Sequence, residues 1–130
     1  MQAHEIVFNL NKALQYEYSD IFLYPREAKL IKDKVISSLF EEFGVMEIRH
    51  ADLLAKRILE LGGKPVWDFF LLQDKTELKD ILAWHIDRET GGVDLYGRLV
   101  EQVDDETKIL LRGIKAEEQM HLDKIRELSV

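Results

Sequence analysis

Two short stretches of this chain carry residue types that can do metal chemistry: Glu47-Ile48-Arg49-His50, and Glu118-Gln119-Met120-His121 near the C-terminal end. Residues three apart share a face of an α-helix. Each Glu-x-x-His therefore sets a carboxylate oxygen beside an imidazole nitrogen. One such pair is weak evidence, because 14 of the 130 residues are glutamate and a given histidine has roughly a one-in-ten chance of a glutamate three before it. Register strengthens the case. Glu17 is followed seven residues later by Tyr24, and Glu89 seven residues later by Tyr96, so each tyrosine lies two turns along the face of its glutamate. Glu17 to Glu89 and Tyr24 to Tyr96 are offsets of 72, while Glu47 to Glu118 and His50 to His121 are offsets of 71. Asp33 and Asp105, at two short corners, are again 72 apart.

If four helices point these residues inward, four carboxylates and two imidazoles meet at mid-bundle. Buried without partners, four carboxylates cost many kcal/mol through desolvation and repulsion. Two divalent cations would neutralise them charge for charge. Hard oxygens with one imidazole per metal suit Fe or Mn better than structural zinc. Carboxylates that can bridge, and switch between one and two contacts, suit a site handling O2 or peroxide.

The elements that must position these groups follow from periodicity. Apolar residues recur at helical spacing from about 5 to 31 (Val7, Leu10, Leu14, Tyr18, Ile21, Phe22), with Pro25 expected to kink the helix rather than stop it. Asp33 is expected to cap a second helix over about 34–61, with Val35, Leu39, Phe43, Leu54 and Ile58 inward. Gly62-Gly63-Lys64-Pro65 ends it. An aromatic connection, Val66-Trp67-Asp68-Phe69-Phe70-Leu71-Leu72, leads to helices over about 76–103 and 106–128, joined by an acidic turn at 104–106. Two short corners and one long link predict an all-α four-helix bundle with a crossover between helices two and three. It forms one domain over 1–130 with a pseudo-repeat of 1–63 and 76–130.

Composition bounds the function classes. There is no cysteine, so disulfides, Cys-ligated zinc and iron–sulfur clusters are excluded. A net charge of −7 argues against nucleic acid as a partner. No apolar run approaches a membrane span, and the N-terminus lacks the layout of a signal peptide, so the expectation is a cytoplasmic protein with no membrane partner.

The pattern of one glutamate from each of two helices and Glu-x-x-His from the other two resembles the ferritin-like di-iron and di-manganese carboxylate superfamily. The resemblance covers nearly the whole chain and is nearest to single-domain rubrerythrin-like proteins, with bacterioferritin sharing the six-ligand pattern. It implies two Fe ions per chain (Mn being the alternative), held by Glu17, Glu47, His50, Glu89, Glu118 and His121, with Glu47 and Glu118 bridging. It implies Tyr24 and Tyr96 as partners of the ligands. It also implies an oxidoreductase, of ferroxidase or peroxidase type, that reacts with O2 or peroxide, with an external electron donor in the peroxidase case.

Departures from the family pattern shape this expectation. Rubrerythrins carry a further glutamate three residues after the third-helix ligand, where this chain has Gly92. Bacterioferritin binds haem through a methionine directly after the second-helix glutamate, here Ile48, so no haem is expected. Cage ferritins add a fifth helix, and nine residues follow His121, so a homodimer is expected rather than a cage. The alternative is a metal-carrying or partner-binding bundle without catalysis.

Four further positions carry expectations. Asp20, three after Glu17, is an extra ligand, a proton relay or a solvent-facing residue. His85, four before Glu89, either bonds a ligand carboxylate or is a buried neutral histidine. Gly91 and Gly92, in mid-helix, either allow close packing or open space beside the metals.

Overall fold

The computed structural model describes residues 1–70 and 74–130. Leu71 and Leu72 of the connection lie outside the described residues. Four helices and no strand occur among those described: α1 (Ala3–Leu30), α2 (Lys34–Glu60), α3 (Leu78–Leu99) and α4 (Asp105–Leu128). No helix is long and apolar enough to cross a membrane.

Local chemistry explains the boundaries. The Glu5 carboxylate accepts from the backbone N–H of Gln2 and closes the first turn of α1. Asp33 caps α2 by accepting from the N–H groups of Val35 and Ile36, at 2.9 and 3.1 Å. Gly62, at φ +82°, takes the left-handed turn that stops α2, and Gly63 N–H returns to the carbonyl of Ile58. Asp104, not Asp105, caps α4 by accepting from Thr107 N–H at 3.1 Å. It lies 71 residues after Asp33, the same offset that separates the two Glu-x-x-His pairs. The expected third helix correspondingly runs four residues too far at its C-terminal end, because 100–103 form the turn into that cap. Arg57, near the end of α2, donates to Thr107 and Asp104 (2.9 Å each) and ties the two helices together at that end.

Pro25 sits inside α1, which continues to Leu30. Opposite it on α2 is Gly44, where an added Cβ would lie 3.1 Å from the proline ring. That close approach is why this helix position lacks a side chain.

Helix α1 packs most extensively on α2, and α3 on α4. The crossover between α2 and α3 runs along α1. Asn11 donates to the carbonyl of Lys64 and accepts from Val66 N–H, Ser19 accepts from Phe70 N–H, and Arg26 pairs with Asp74. Asn11 to Arg26 is 15 residues of helix, so the link spans roughly 22 Å at about 1.5 Å per residue. It therefore returns the chain to the end where α2 began, and α3 runs parallel to α2.

Two apolar clusters fill the interior. One contains Leu10, Leu14, Leu54, Ile58, Leu95 and Leu111; the other contains Ala28, Phe40, Phe43, Ile81, Leu82 and Ile125. On every helix, the charged and imidazole residues occupy the turns between these clusters: Glu17 and Asp20, Glu47 and His50, His85 and Glu89, Glu118 and His121. A polar layer thus divides the core at mid-length. Two apolar expectations fail. Phe22 is 42% exposed and packs on Trp67 and Phe69 of the crossover, and Val35 is 77% exposed while its neighbour Ile36 packs against the core.

Candidate metal centre

The polar layer brings together all six residues of the spacing pattern. Glu17, Glu47, His50, Glu89, Glu118 and His121 are each at most 3% exposed. Their donor atoms form two overlapping groups: Glu17, Glu47, His50 and Glu118, and Glu47, Glu89, Glu118 and His121, with all donor atoms in a group within 4.8 Å of one another. Glu47 and Glu118 belong to both. That is the arrangement expected of two carboxylates placed between two cations, each cation completed by one further glutamate and one histidine.

Both histidines turn Nδ1 toward the carboxylates. His50 Nδ1 lies 2.7 Å from Glu118, 3.3 Å from Glu47 and 3.5 Å from Glu17. His121 Nδ1 lies 3.4 Å from Glu47 and 3.6 Å from Glu118. The outer nitrogens are held differently. His50 Nε2 donates to Glu117 at 3.2 Å, and Glu117 is itself paired with Arg49. His121 Nε2 meets the thioether of Met46 at 3.2 Å. Fixing Nε2 in this way orients each ring and leaves Nδ1 for a metal.

The tyrosines cross over. Tyr24 donates to Glu89 at 2.8 Å and Tyr96 donates to Glu17 at 2.6 Å, so each tyrosine serves the glutamate of the other half rather than the one on its own helix. Both are fully buried.

The donor set fits a pair of divalent ions. Both oxygens of Glu47, Oε2 of Glu17 and Nδ1 of His121 are buried with no hydrogen-bond partner, a costly state for groups of this kind unless something else engages them. The electrostatics agree. Burial, then the Glu118 charge, raises Glu17 to about 7 and pushes Glu47 and Glu89 well above the usual carboxylate range. For Glu118, burial acts upward but is outweighed by the polar groups of Glu89, His121 and His50 that face its carboxylate, so it is held well below the usual range. Burial alone would lower His50, yet the Glu118 carboxylate 2.7 Å from its Nδ1, and the Glu17 carboxylate beside it, raise it to about 10. Without metal, protons take the place of cations in this layer.

The ferritin-like domain model matches residues 9–129. The chain belongs to the ferritin-like family. Among solved structures, it is similar to the bacterioferritin of Desulfovibrio desulfuricans, whose di-iron site was captured in different catalytic states. The two share 26% identity at a TM-score of 0.91, over 98% of this chain and 79% of that one. It is similar to the ferritin-like di-iron-carboxylate proteins of Bacillus anthracis strain Ames, at 25% identity and a TM-score of 0.92, over 98% of this chain and 97% of theirs. A dodecameric thioferritin of Bacteroides fragilis, related to bacterioferritin, shares the fold at 22% identity and a TM-score of 0.89, over 98% of this chain and 85% of that one. No curated protein matches the chain.

Around this ferritin-like centre lie residues that spacing alone left open or passed over. Asp20 is buried, which removes the solvent-facing reading, and sits 3.6 Å from Arg88. His85 is fully buried and bonds a carboxylate, that of Glu27 rather than of a proposed ligand. Glu27 continues the α1 stripe of Glu17, Asp20 and Tyr24, so its 3-4-3 spacing was a usable signal. Glu117 directly precedes Glu118 and lies 71 residues after Met46, so the repeat also marked it. The glycine pair lies against Tyr16: a Cβ on Gly91 would lie 3.0 Å from its hydroxyl, a tight approach, and one on Gly92 3.7 Å from its ring, an ordinary contact.

Proposed function

We propose that this protein is a non-haem dinuclear iron carboxylate oxidoreductase, with manganese as the alternative metal. It couples Fe(II) oxidation, or electron transfer from an external donor, to reduction of O2 or peroxide. The observation that carries the reading is the pair of overlapping donor groups sharing Glu47 and Glu118. Shared carboxylates hold two cations close enough to act on one small oxidant, and a lone storage or structural site needs no such sharing.

In this reading Glu17 and His50 would hold one ion, Glu89 and His121 the other, with Glu47 and Glu118 available to both. When bound and reduced, the pair would supply the two electrons that the oxidant takes up. The protein's own groups do the rest. Tyr96 and Tyr24, donating to Glu17 and Glu89, are positioning residues that fix the free orientation of each terminal carboxylate. The two apolar clusters on either side keep water from the layer and strengthen every charge interaction inside it. With the ions absent, burial raises the proton affinity of these carboxylates, Glu17 to about 7, so the layer holds protons that ion binding would displace.

We also propose a homodimer as the working assembly. Phe22, Trp67 and Phe69 form an exposed aromatic patch where α1 meets the crossover, and a second copy would cover it.

The test is metal content and turnover together. Elemental analysis of protein purified without added metal is expected to give two ions per chain, with Fe identified over Mn by the same measurement. Fe(II) added in excess is expected to be oxidised beyond the first two equivalents. Glu47→Ala should reduce loading at both positions, since both lean on that carboxylate. Undiminished two-ion loading in that variant refutes the shared role, and oxidation that stops at the first equivalents favours an iron carrier over an enzyme.

A further inference from the structure

A third group of donors lies on the Tyr24 side of the dinuclear layer. Donor atoms of Asp20, His85 and Glu89 are within 4.8 Å of one another, and all three residues are buried. His85 is prepared as a ligand in the same way as His50. Its Nε2 is bound to the buried carboxylate of Glu27, which fixes the N–H there, and its Nδ1 is buried with no partner. Its ring cannot easily turn away. It stacks on Tyr24 with centroids 4.3 Å apart and planes 12° apart, and meets Phe40 and Trp84 edge-on at 5.5 and 5.2 Å. A carboxylate behind an imidazole, with the far nitrogen free, is the common support of a metal-binding histidine. Asp20 Oδ1 is likewise buried without a hydrogen bond, and Arg88 stands 3.6 Å away, beyond hydrogen-bond distance.

Charge leaves room for another cation. Six buried carboxylates face this region: Glu17, Asp20, Glu27, Glu47, Glu89 and Glu118. Two divalent ions offset four of these charges and Arg88 a fifth, so one negative charge remains.

We propose that Asp20, His85 and Glu89 form a third cation site for a first-row divalent metal ion. It rests on the dinuclear reading in sharing Glu89 and in the charge count. Two oxygens and one imidazole nitrogen suit Fe(II), Mn(II) or Co(II). With one carboxylate of its own and one shared, and with Arg88 nearby, it fills last and binds most weakly.

The test uses Co(II) on the full chain stripped of metal, without oxygen, followed by calorimetry and by anomalous diffraction from cobalt-loaded crystals. Three equivalents are expected, the third weaker than the first two, with an anomalous peak between Asp20, His85 and Glu89. His85→Leu should lose that peak and the third equivalent while keeping two. Glu27→Gln, which touches no metal, should weaken only the third, roughly 10- to 100-fold. Should either variant fail to fold, the wild-type anomalous map decides alone. Two peaks, both at the shared glutamates, overturn the third site and leave the pair standing. Three equivalents with unchanged affinities in a folded His85→Leu also overturn it. A peak at Asp20, His85 and Glu89 with none at the shared glutamates upholds this site and refutes the dinuclear reading instead.

Discussion

Stability without metal should fall as pH rises, and stability with metal should not. Glu17 is fully buried, and its carboxyl is raised from 4.5 to about 7 in the folded chain, by burial and then by the Glu118 charge. Between those values the folded state holds a proton that the unfolded state releases, so raising pH favours unfolding. A rise of that size corresponds to ~3 kcal/mol, lost as pH climbs from about 4.5 to about 7. Glu47 and Glu89, raised well above the usual range, act in the same direction. His50 is raised from 6.5 to about 10, so its contribution is complete below 6.5 and is lost as pH rises through 10. Glu118 is depressed, so its contribution is present above the ordinary carboxylate value and lost only in stronger acid, outside this window.

Bound cations reverse the trend. They require ionised carboxylates and an Nδ1 free of its proton, so loading releases protons and affinity rises with pH. For a domain of this size ~3 kcal/mol is roughly 10 °C in Tm. Melting curves by circular dichroism, in chelator and in Mn(II), at about pH 5 and about pH 8, measure both slopes. The chelated protein should lose roughly 10 °C or more between the two, and the gap between loaded and chelated protein should widen. Glu17→Gln in chelator should recover much of the loss at the higher pH and change little at the lower. A chelated protein whose Tm is flat or rises over this range would refute the account of the buried carboxylates.

Other outcomes follow from individual contacts. Glu117→Gln should weaken one of the two metal equivalents by roughly 10- to 100-fold in chelator competition, because only the His50 side leans on that carboxylate. Met46→Leu should disturb the His121 side less, and equal effects would contradict the difference between the halves. Gly92→Leu should lower stability by ~1–3 kcal/mol, because the added carbons must displace Tyr16; an unchanged Tm would mean that the space is free. Gly44→Ala should also destabilise, despite a gain in helix propensity of ~1 kcal/mol, since the rigid Pro25 ring lies 3.1 Å from the new Cβ; a higher Tm would show that α1 yields there.

The fold and the six donors were legible because they depend on two periods the sequence displays openly. Helical spacing sets Glu beside His, and a repeat of 71 or 72 residues sets one half against the other. The Asp33 cap was legible for the same local reason, and the Asp104 cap lies in the acidic turn expected at 104–106. What stayed hidden depends on how helices face each other. Nothing in the spacing of α1 states that Tyr24 would reach Glu89 instead of Glu17, or that Glu27 would hold His85. Phe22 and Val35 fit the apolar period and still lie outside, because a period fixes a stripe but not its width.

The glycine pair shows how the repeat accounts for what spacing could not. Adding 72 to Tyr16 gives Arg88, and adding 72 to Asp20 gives Gly92. The contacts pair these positions across the repeat: Arg88 faces Asp20 at 3.6 Å, and Tyr16 lies against Gly92, 3.7 Å from where a Cβ would stand. One crossing is filled by a guanidinium and a carboxylate, the equivalent crossing by an aromatic ring and a missing side chain. Gly92 therefore stands at ordinary contact distance from the Tyr16 ring, and Asp20 stands where Arg88 can face it. The same break recurs one layer out, where Glu117 holds His50 and its equivalent Met46 meets His121. A thioether and an aromatic ring lend no charge; a carboxylate and a guanidinium do. The two halves of the centre share Glu47 and Glu118 but not their surroundings, and two ions bound there would have different neighbours from the outset.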